Sequence, residues 1–281
     1  MRRTSPLLAI PLLLLPALSA PAADEGTPKV LFIEREEIKP GKMGAHGKLI
    51  DRLMRTDQKA KIGTNVLTLM PITGDENSGL FLFPFASWGA MEEWFGKWQA
   101  AQGAHAADFE AIEKEGGEIH ARQRAMIAVH QPELSFRPRG AGAAKTRYLF
   151  VSFTRVEAGR VRQWRDDVQW ANSVWEKSST GRHWSVWSIA SGTDFRTFMR
   201  LEAVKSLAEV DAWPDEARKV REGLDPESRK RWEEMGRETK PDGWSALYAF
   251  DPAHSAAPKA WVEQDPEFWT PKPAAKPAEK K

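Results

Sequence analysis

Tyr148–Arg160 reads YLFVSFTRVEAGR, and Val30–Lys42, 118 residues earlier, reads VLFIEREEIKPGK. In both, an apolar run turns polar and reaches a glycine, Gly159 or Gly41, that opens an amphipathic stretch. The echo continues at the same offset: Thr73-Gly74 matches Ser191-Gly192, and Asn65-Val66-Leu67 falls on His183-Trp184-Ser185. Ala125–Pro132 (AMIAVHQP) falls near Ser245–Pro252 (SALYAFDP), with the offset drifted to 120. A match sustained over that length is an internal duplication, and its period is too long for a solenoid. The chain therefore reads as two copies of one small domain.

Each copy predicts the order βαββαβ. In copy one, residues 29–132, Val30–Ile33 has the continuous apolar character of a strand covered on both faces, broken by charge at Glu34–Glu37. Leu49, Ile50, Leu53 and Met54 mark a helix over Ala45–Met54, with His46 on the same stripe. Thr64–Ile72, Leu80–Phe85 and Arg124–His130 read as strands, with Gly74–Gly79 a polar hairpin loop. Trp88, Met91, Phe95 and Trp98 form a second helical face. Gln102–Glu115 predicts an added helix ended by Gly116-Gly117.

Residues 133–146, rich in Pro, Gly and Ala, predict a linker. Copy two, residues 147–252, predicts a strand at Tyr148–Val156 and a helix from Val161 with Trp164, Val168 and Trp175 on one face. Strands follow at His183–Ala190 and Phe195–Glu202, then a helix over Val204–Trp213. Pro214–Thr239 reads as solvated helix, and Trp244–Phe250 as the closing strand. By the offset, Trp164 stands where copy one has His46. Residues 256–281, rich in Pro, Ala and Lys, predict a disordered tail.

Residues 1–22 read as a secretory signal peptide. Arg2-Arg3 are the charged start, Leu7–Leu15 the apolar region, and Ala20-Pro21-Ala22 the small-residue site, with cleavage after Ala22. The expected destination is the periplasm or the medium, with no membrane attachment after cleavage. The chain has no cysteine, which excludes disulfides and a lipid-modified anchor cysteine. Removing residues 1–22 takes away two arginines and no acids, so the mature chain is formally neutral. A balanced surface gives no electrostatic ground for a nucleic acid partner. The 13 tryptophans against 2 tyrosines predict a well-filled core or an aromatic-walled pocket.

Two βαββαβ units, each opening on an apolar strand that ends in a Pro-Gly-Lys-type turn, resemble the dimeric α+β barrel superfamily. Val30–Met43 in particular is similar to the opening strand and turn of NIPSNAP-like members, and the resemblance spans nearly all of residues 29–252. It implies an α+β fold of two tandem ferredoxin-like repeats pairing sheet to sheet as an intramolecular α+β barrel. The expected state is a monomer with an internal pseudo-dimer, or a homodimer of it. The superfamily includes cofactor-free monooxygenases of the antibiotic-biosynthesis type, haem-degrading enzymes and tandem-repeat haem proteins. Its haem-degrading branch uses an asparagine on the first strand. Here those strands offer Glu34-Arg35 and Ser152-Phe153, so that carry-over fails.

The candidate ligand-binding residues are His46, Glu34, Arg35, His130, His183 and Trp184. His46 lies on an apolar helix face, where an imidazole can act near neutral pH. Glu34 and Arg35 interrupt a buried-type strand. Either the strand emerges into water there, or one of the two projects into a cavity. No HxH, HxxxH or HExxH pair occurs, so no metal site is expected. No cofactor is expected either, although axial haem ligation needs only one histidine and stays open. GxSxG and GxGxxG are also absent.

The leading expectation is a small-molecule-binding protein with an apolar, Trp-lined pocket. One alternative is a cofactor-free or haem-dependent monooxygenase-like oxidoreductase using His46, or His183 beside Trp184. Another is a structural or interaction module with filled cavities. Because copy two fills position 164 with Trp, the pocket is expected in copy one. The sequence does not name the reaction.

Overall fold

The computed structural model describes residues 27–138, 141–178, 180–239 and 242–270. The expected signal peptide and the last eleven residues lie outside these. The first repeat runs β1 (Val30–Ile38), α1 (Met43–Ala60), β2 (Leu67–Pro71), β3 (Ser78–Phe85), α2 (Trp88–Ala104), α3 (Ala106–Ile119) and β4 (His120–His130). The second runs β5 (Tyr148–Arg155), α4 (Val161–Glu176), β6 (Ser185–Ser191), β7 (Thr197–Val204), α5 (Trp213–Glu222), α6 (Pro226–Thr239) and β8 (Asp242–Phe250). Two short helices follow, α7 (Lys259–Gln264) and α8 (Pro266–Trp269). Among the described residues no helix is long and apolar enough to cross a membrane.

The strands close into one barrel in the order β1-β3-β2-β8-β5-β7-β6-β4. Each repeat supplies four neighbouring strands, and the halves join antiparallel at β2–β8 and β4–β6. Closure leaves neither four-stranded sheet with an open edge. The duplication is visible in the backbone itself. Gly41 and Gly159 sit at φ 77° and 79°, and Gly74 and Gly192 at 93° and 94°, a region that favours glycine.

Alternation along the strands divides the protein into layers. On β1, Leu31 and Ile33 point into the barrel, where they pack with Leu69, Val151, Trp187 and Met199. Phe32, Glu34 and Glu36 face outward beneath the helices of the first repeat. The charged run therefore does not end the strand: β1 pairs with β3 and β4 through Glu34–Glu37. Glu36 is only 6% exposed, so the strand has not emerged into water.

Three other expectations need correction. Gly116-Gly117 do not stop the added helix, which continues to Ile119. Gly116 is buried within the helix, where a Cβ would make ordinary contact with His120 and Leu49, and neither glycine has the positive φ that ends a helix. The helix expected over Val204–Trp213 is a short 3-10 helix over Leu207–Ala212, and the α-helix begins at Trp213. Val204 is buried and paired with Tyr148, and Pro214 suits the first turn of a helix. Residues 133–146 are not a free linker: Leu134 and Phe136 are buried in the second repeat's core, and Phe136 exchanges two backbone hydrogen bonds with Trp184.

The tail also departs from expectation. Residues 256–270 are folded against the barrel, with Trp261, Phe268 and Trp269 packed on its core near Phe250. Composition masked this, because three aromatic side chains outweigh the surrounding Pro, Ala and Lys.

Candidate functional site

Between the outer face of the first repeat's sheet and its helices lies a cavity of about 470 Å³. That is within the range of small-molecule sites, roughly 300–1,000 Å³. Its walls are aromatic. Phe32 and Phe83 come from the sheet, Trp94, Phe95 and Trp98 from α2, and Phe109 from α3. Trp94 is the hub, with ring centroids 5.5 Å from Phe83, 5.7 Å from Trp98 and 4.9 Å from Phe95. Its indole N–H donates to Thr64 Oγ1 at 2.8 Å, and Thr64 donates to Asp57, so the ring is held by hydrogen bonds as well as packing.

Among the described residues the equivalent place in the second repeat is packed with aromatic side chains. Trp164, at the position of His46, lies 4.2 Å from the Phe198 ring, within a cluster that includes Trp175, Trp184 and Val186. His46 itself does not line the first repeat's cavity; it stands beside it, on Glu36.

A polar cluster adjoins the sheet wall of the cavity. His46, in the first turn of α1, places Nε2 2.6 Å from Glu36 Oε2, and both residues are buried. His120, at the start of β4, places its Nε2 3.3 Å from the same oxygen. Gln123 donates to Glu36 Oε1 at 2.7 Å. The two imidazoles stand edge to face, 5.3 Å apart. All three are residue types that ligate metals, and their donor atoms lie within 4.8 Å of one another. These three residues come from three elements, 10 to 84 positions apart, so no close-pair spacing in the sequence marks them.

Two carboxyls two residues apart are tuned in opposite directions. Burial pushes Glu34 up to about 7, and the neighbouring Glu36 charge adds to the rise. Burial also opposes ionisation of Glu36, but the imidazoles of His120 and His46 and the Gln123 amide outweigh it and hold that carboxyl at about 2. For Glu34, the folded protein keeps its proton between the ordinary 4.5 and about 7, where the unfolded chain has lost it. Stability from this group is present at low pH and falls as pH rises through that window, by up to about 3 kcal/mol. Glu34→Gln is expected to be more stable than the wild type at pH 8, with the gain vanishing by pH 4. Urea unfolding at both pH values in EDTA-containing buffer checks this, and an equal difference at the two would contradict it.

Of the residues singled out in the sequence, Glu34 lines the cavity and His46 stands beside it, bonded to Glu36. Arg35 points the opposite way, toward the barrel interior, with its guanidinium 5.2 Å from the Trp244 ring. His130 packs on Trp187, with centroids 4.9 Å apart, and shares a hydrogen bond with Ser135. His183 is buried beside Gly181, and Trp184 lies between Phe136 and Arg200 in the second repeat. None of these four lines the cavity. Glu36, His120, Gln123 and Trp94 were missed. Period-2 spacing from Glu34 does place Glu36 on the same face. His120 needed the β1–β4 register, in which it pairs with Ile38.

No protein-family model and no curated protein matches this chain. Solved structures do match in layout. An anthrone oxidase-like protein is 13% identical, with 81% of this chain and 93% of that one covered and a TM-score of 0.49. A mutant chlorite dismutase from Candidatus Nitrospira defluvii in complex with cyanide is 7% identical, with 84% and 95% covered and a TM-score of 0.48. A proposed monooxygenase from Lactobacillus acidophilus is 10% identical, with 80% and 93% covered and a TM-score of 0.46. Likeness at this level concerns the arrangement of strands and helices and says nothing about chemistry. The deciding observation is the chain's own topology: two βαββαβ units sharing one closed eight-stranded barrel. The fold is a closed eight-stranded α+β barrel made of two ferredoxin-like repeats in one chain. In this barrel the first repeat keeps an open space between sheet and helices.

Proposed function

We propose that the protein binds a small, largely apolar organic molecule in the cavity of the first repeat. The ligand presents a cationic or hydrogen-bond-donating group to the carboxylates on the wall. The observation that carries this reading is the composition of the lining. Aromatic faces form most of it, and its ionisable residues are Glu34, Glu36, Asp57 and Glu113 with a single imidazole, His254, already paired with Asp251, and no lysine or arginine. Aromatic faces and carboxylates both favour a cation or a donor over an anion. The same lining does not suit haem, whose two propionates would meet four carboxyls and only one imidazole, His254, which Asp251 already engages. A catalytic role in this cavity, the oxidoreductase alternative, has only the fold-level likeness behind it.

The test uses N-phenyl-1-naphthylamine, a neutral aromatic dye whose emission rises in apolar surroundings. The wild type is expected to bind it with Trp fluorescence quenching. The paired change Leu53→Trp and Met54→Trp, both on the cavity wall, is expected to weaken binding at least tenfold. Phe195→Ala, on an exposed side chain of the second repeat, should leave it unchanged. Equal binding by all three proteins would refute the cavity as the ligand site.

A further inference from the structure

Glu36, His46 and His120 raise a question that the ligand cavity does not answer. An ordinary buried carboxylate–histidine pair needs one imidazole, and His46 already supplies it at 2.6 Å. The second imidazole is unexplained. The His120 side chain is only 8% exposed, and its Nε2 aims at Glu36 Oε2 from 3.3 Å. Yet Nε2 makes no well-formed hydrogen bond beyond that charged contact, and Nδ1 meets no hydrogen-bond partner among the described residues. Leaving a buried polar group without a partner costs roughly 1–3 kcal/mol, so a ring held in this orientation calls for something to meet it.

We propose that Glu36, His46 and His120 bind a divalent first-row transition cation. Two imidazoles and one carboxylate suit Zn²⁺ and its neighbours, whereas Ca²⁺ and Mg²⁺ prefer sites built from oxygen alone. The geometry is close to that required. Donors about 2.0–2.1 Å from a metal lie about 3–3.4 Å from one another. The His120–Glu36 separation of 3.3 Å is already there, and the His46–Glu36 contact of 2.6 Å must open by less than an ångström. The carboxylate is oriented from behind by the Gln123 amide at 2.7 Å on its other oxygen, the kind of outer contact that aims a ligand. Glu36 also lines the cavity, so a cation held here would lie beside a bound small molecule. That last point rests on the proposed ligand site, but cation binding itself does not.

The test is calorimetric titration of Zn²⁺ into tag-free, EDTA-stripped protein, with Co²⁺ absorption as a second readout. The wild type should bind one equivalent of Zn²⁺ with micromolar or tighter affinity, and Co²⁺ should give visible bands. Losing a direct ligand in His120→Ala should weaken binding by at least about a hundredfold and abolish the bands, and Gln123→Leu should weaken it roughly tenfold. His105→Ala, at the α2–α3 junction, should bind as the wild type does. If His120→Ala does not fold by circular dichroism, His120→Gln keeps a side chain of similar reach and must show the same loss. Absence of Zn²⁺ binding tighter than millimolar overturns the proposal. So does binding that the His120 variant leaves unchanged, because the ion would then sit elsewhere. Dye binding without Zn²⁺ binding defeats only this inference, and Zn²⁺ binding without dye binding defeats only the proposed function.

Discussion

Replacing Trp269 with alanine is expected to lower the unfolding free energy by about 4 kcal/mol, near the upper end for removing a buried aromatic ring. Trp269 is 4% exposed and belongs to the barrel core, with its ring 5.7 Å from Phe250 and 5.4 Å from Trp261. Its indole N–H donates to Ala144 O at 2.8 Å, across a separation of 125 residues. Alanine would leave a cavity in the barrel core and strip that carbonyl of its partner. The Arg147–Asp265 ion pair would remain to hold the segment. Urea unfolding should show a lower midpoint at unchanged slope. Trp269→Phe, which keeps most of the buried ring and loses only the hydrogen bond, should cost about 1–2 kcal/mol. A loss below about 1 kcal/mol for the alanine variant would mean that α7 and α8 merely lie on the barrel.

Glu36→Gln is expected to cost about 3 kcal/mol at pH 7 in EDTA, and much less in acid. The Glu36 carboxyl stands at about 2 in the folded protein against an ordinary 4.5. A depressed carboxyl contributes stability that is complete above pH 4.5 and is lost as pH falls toward 2. Glutamine keeps the volume and the contact with Gln123 but cannot carry the charge that faces the two imidazoles. The difference between variant and wild type should therefore shrink by more than half between pH 7 and pH 3. A difference that stays constant over that range would show that shape, not charge, sets the value of this residue. The sign is opposite to that of Glu34→Gln, although the two side chains are neighbours on one face of one strand.

That contrast shows how much of the site could be read from the chain. Glu34 and His46 stood out because each breaks an apolar pattern, and a broken pattern is a local signal. Glu36 lay inside a run of four charged residues, where nothing local distinguishes a carboxylate under a helix from one in water. His120 stood just past two glycines that read as the end of a helix, whereas the helix runs through both to Ile119 and delivers His120 to the start of β4. Arg35, His130, His183 and Trp184 were chosen by residue type at strand positions. Alternation sends Arg35 inward, and the packing of the second repeat encloses the last two.

The duplication and the βαββαβ order were decided by the sequence. They depend on hydrophobic period and turn glycines, expressed within a few residues. Closure of the eight strands, the tail packed on the barrel core, and the meeting of Glu36, His46 and His120 were decided only in three dimensions. Each of these joins residues far apart in the chain through sheet register and helix packing. Such juxtapositions are set by the burial of the whole apolar surface, not by any local pattern.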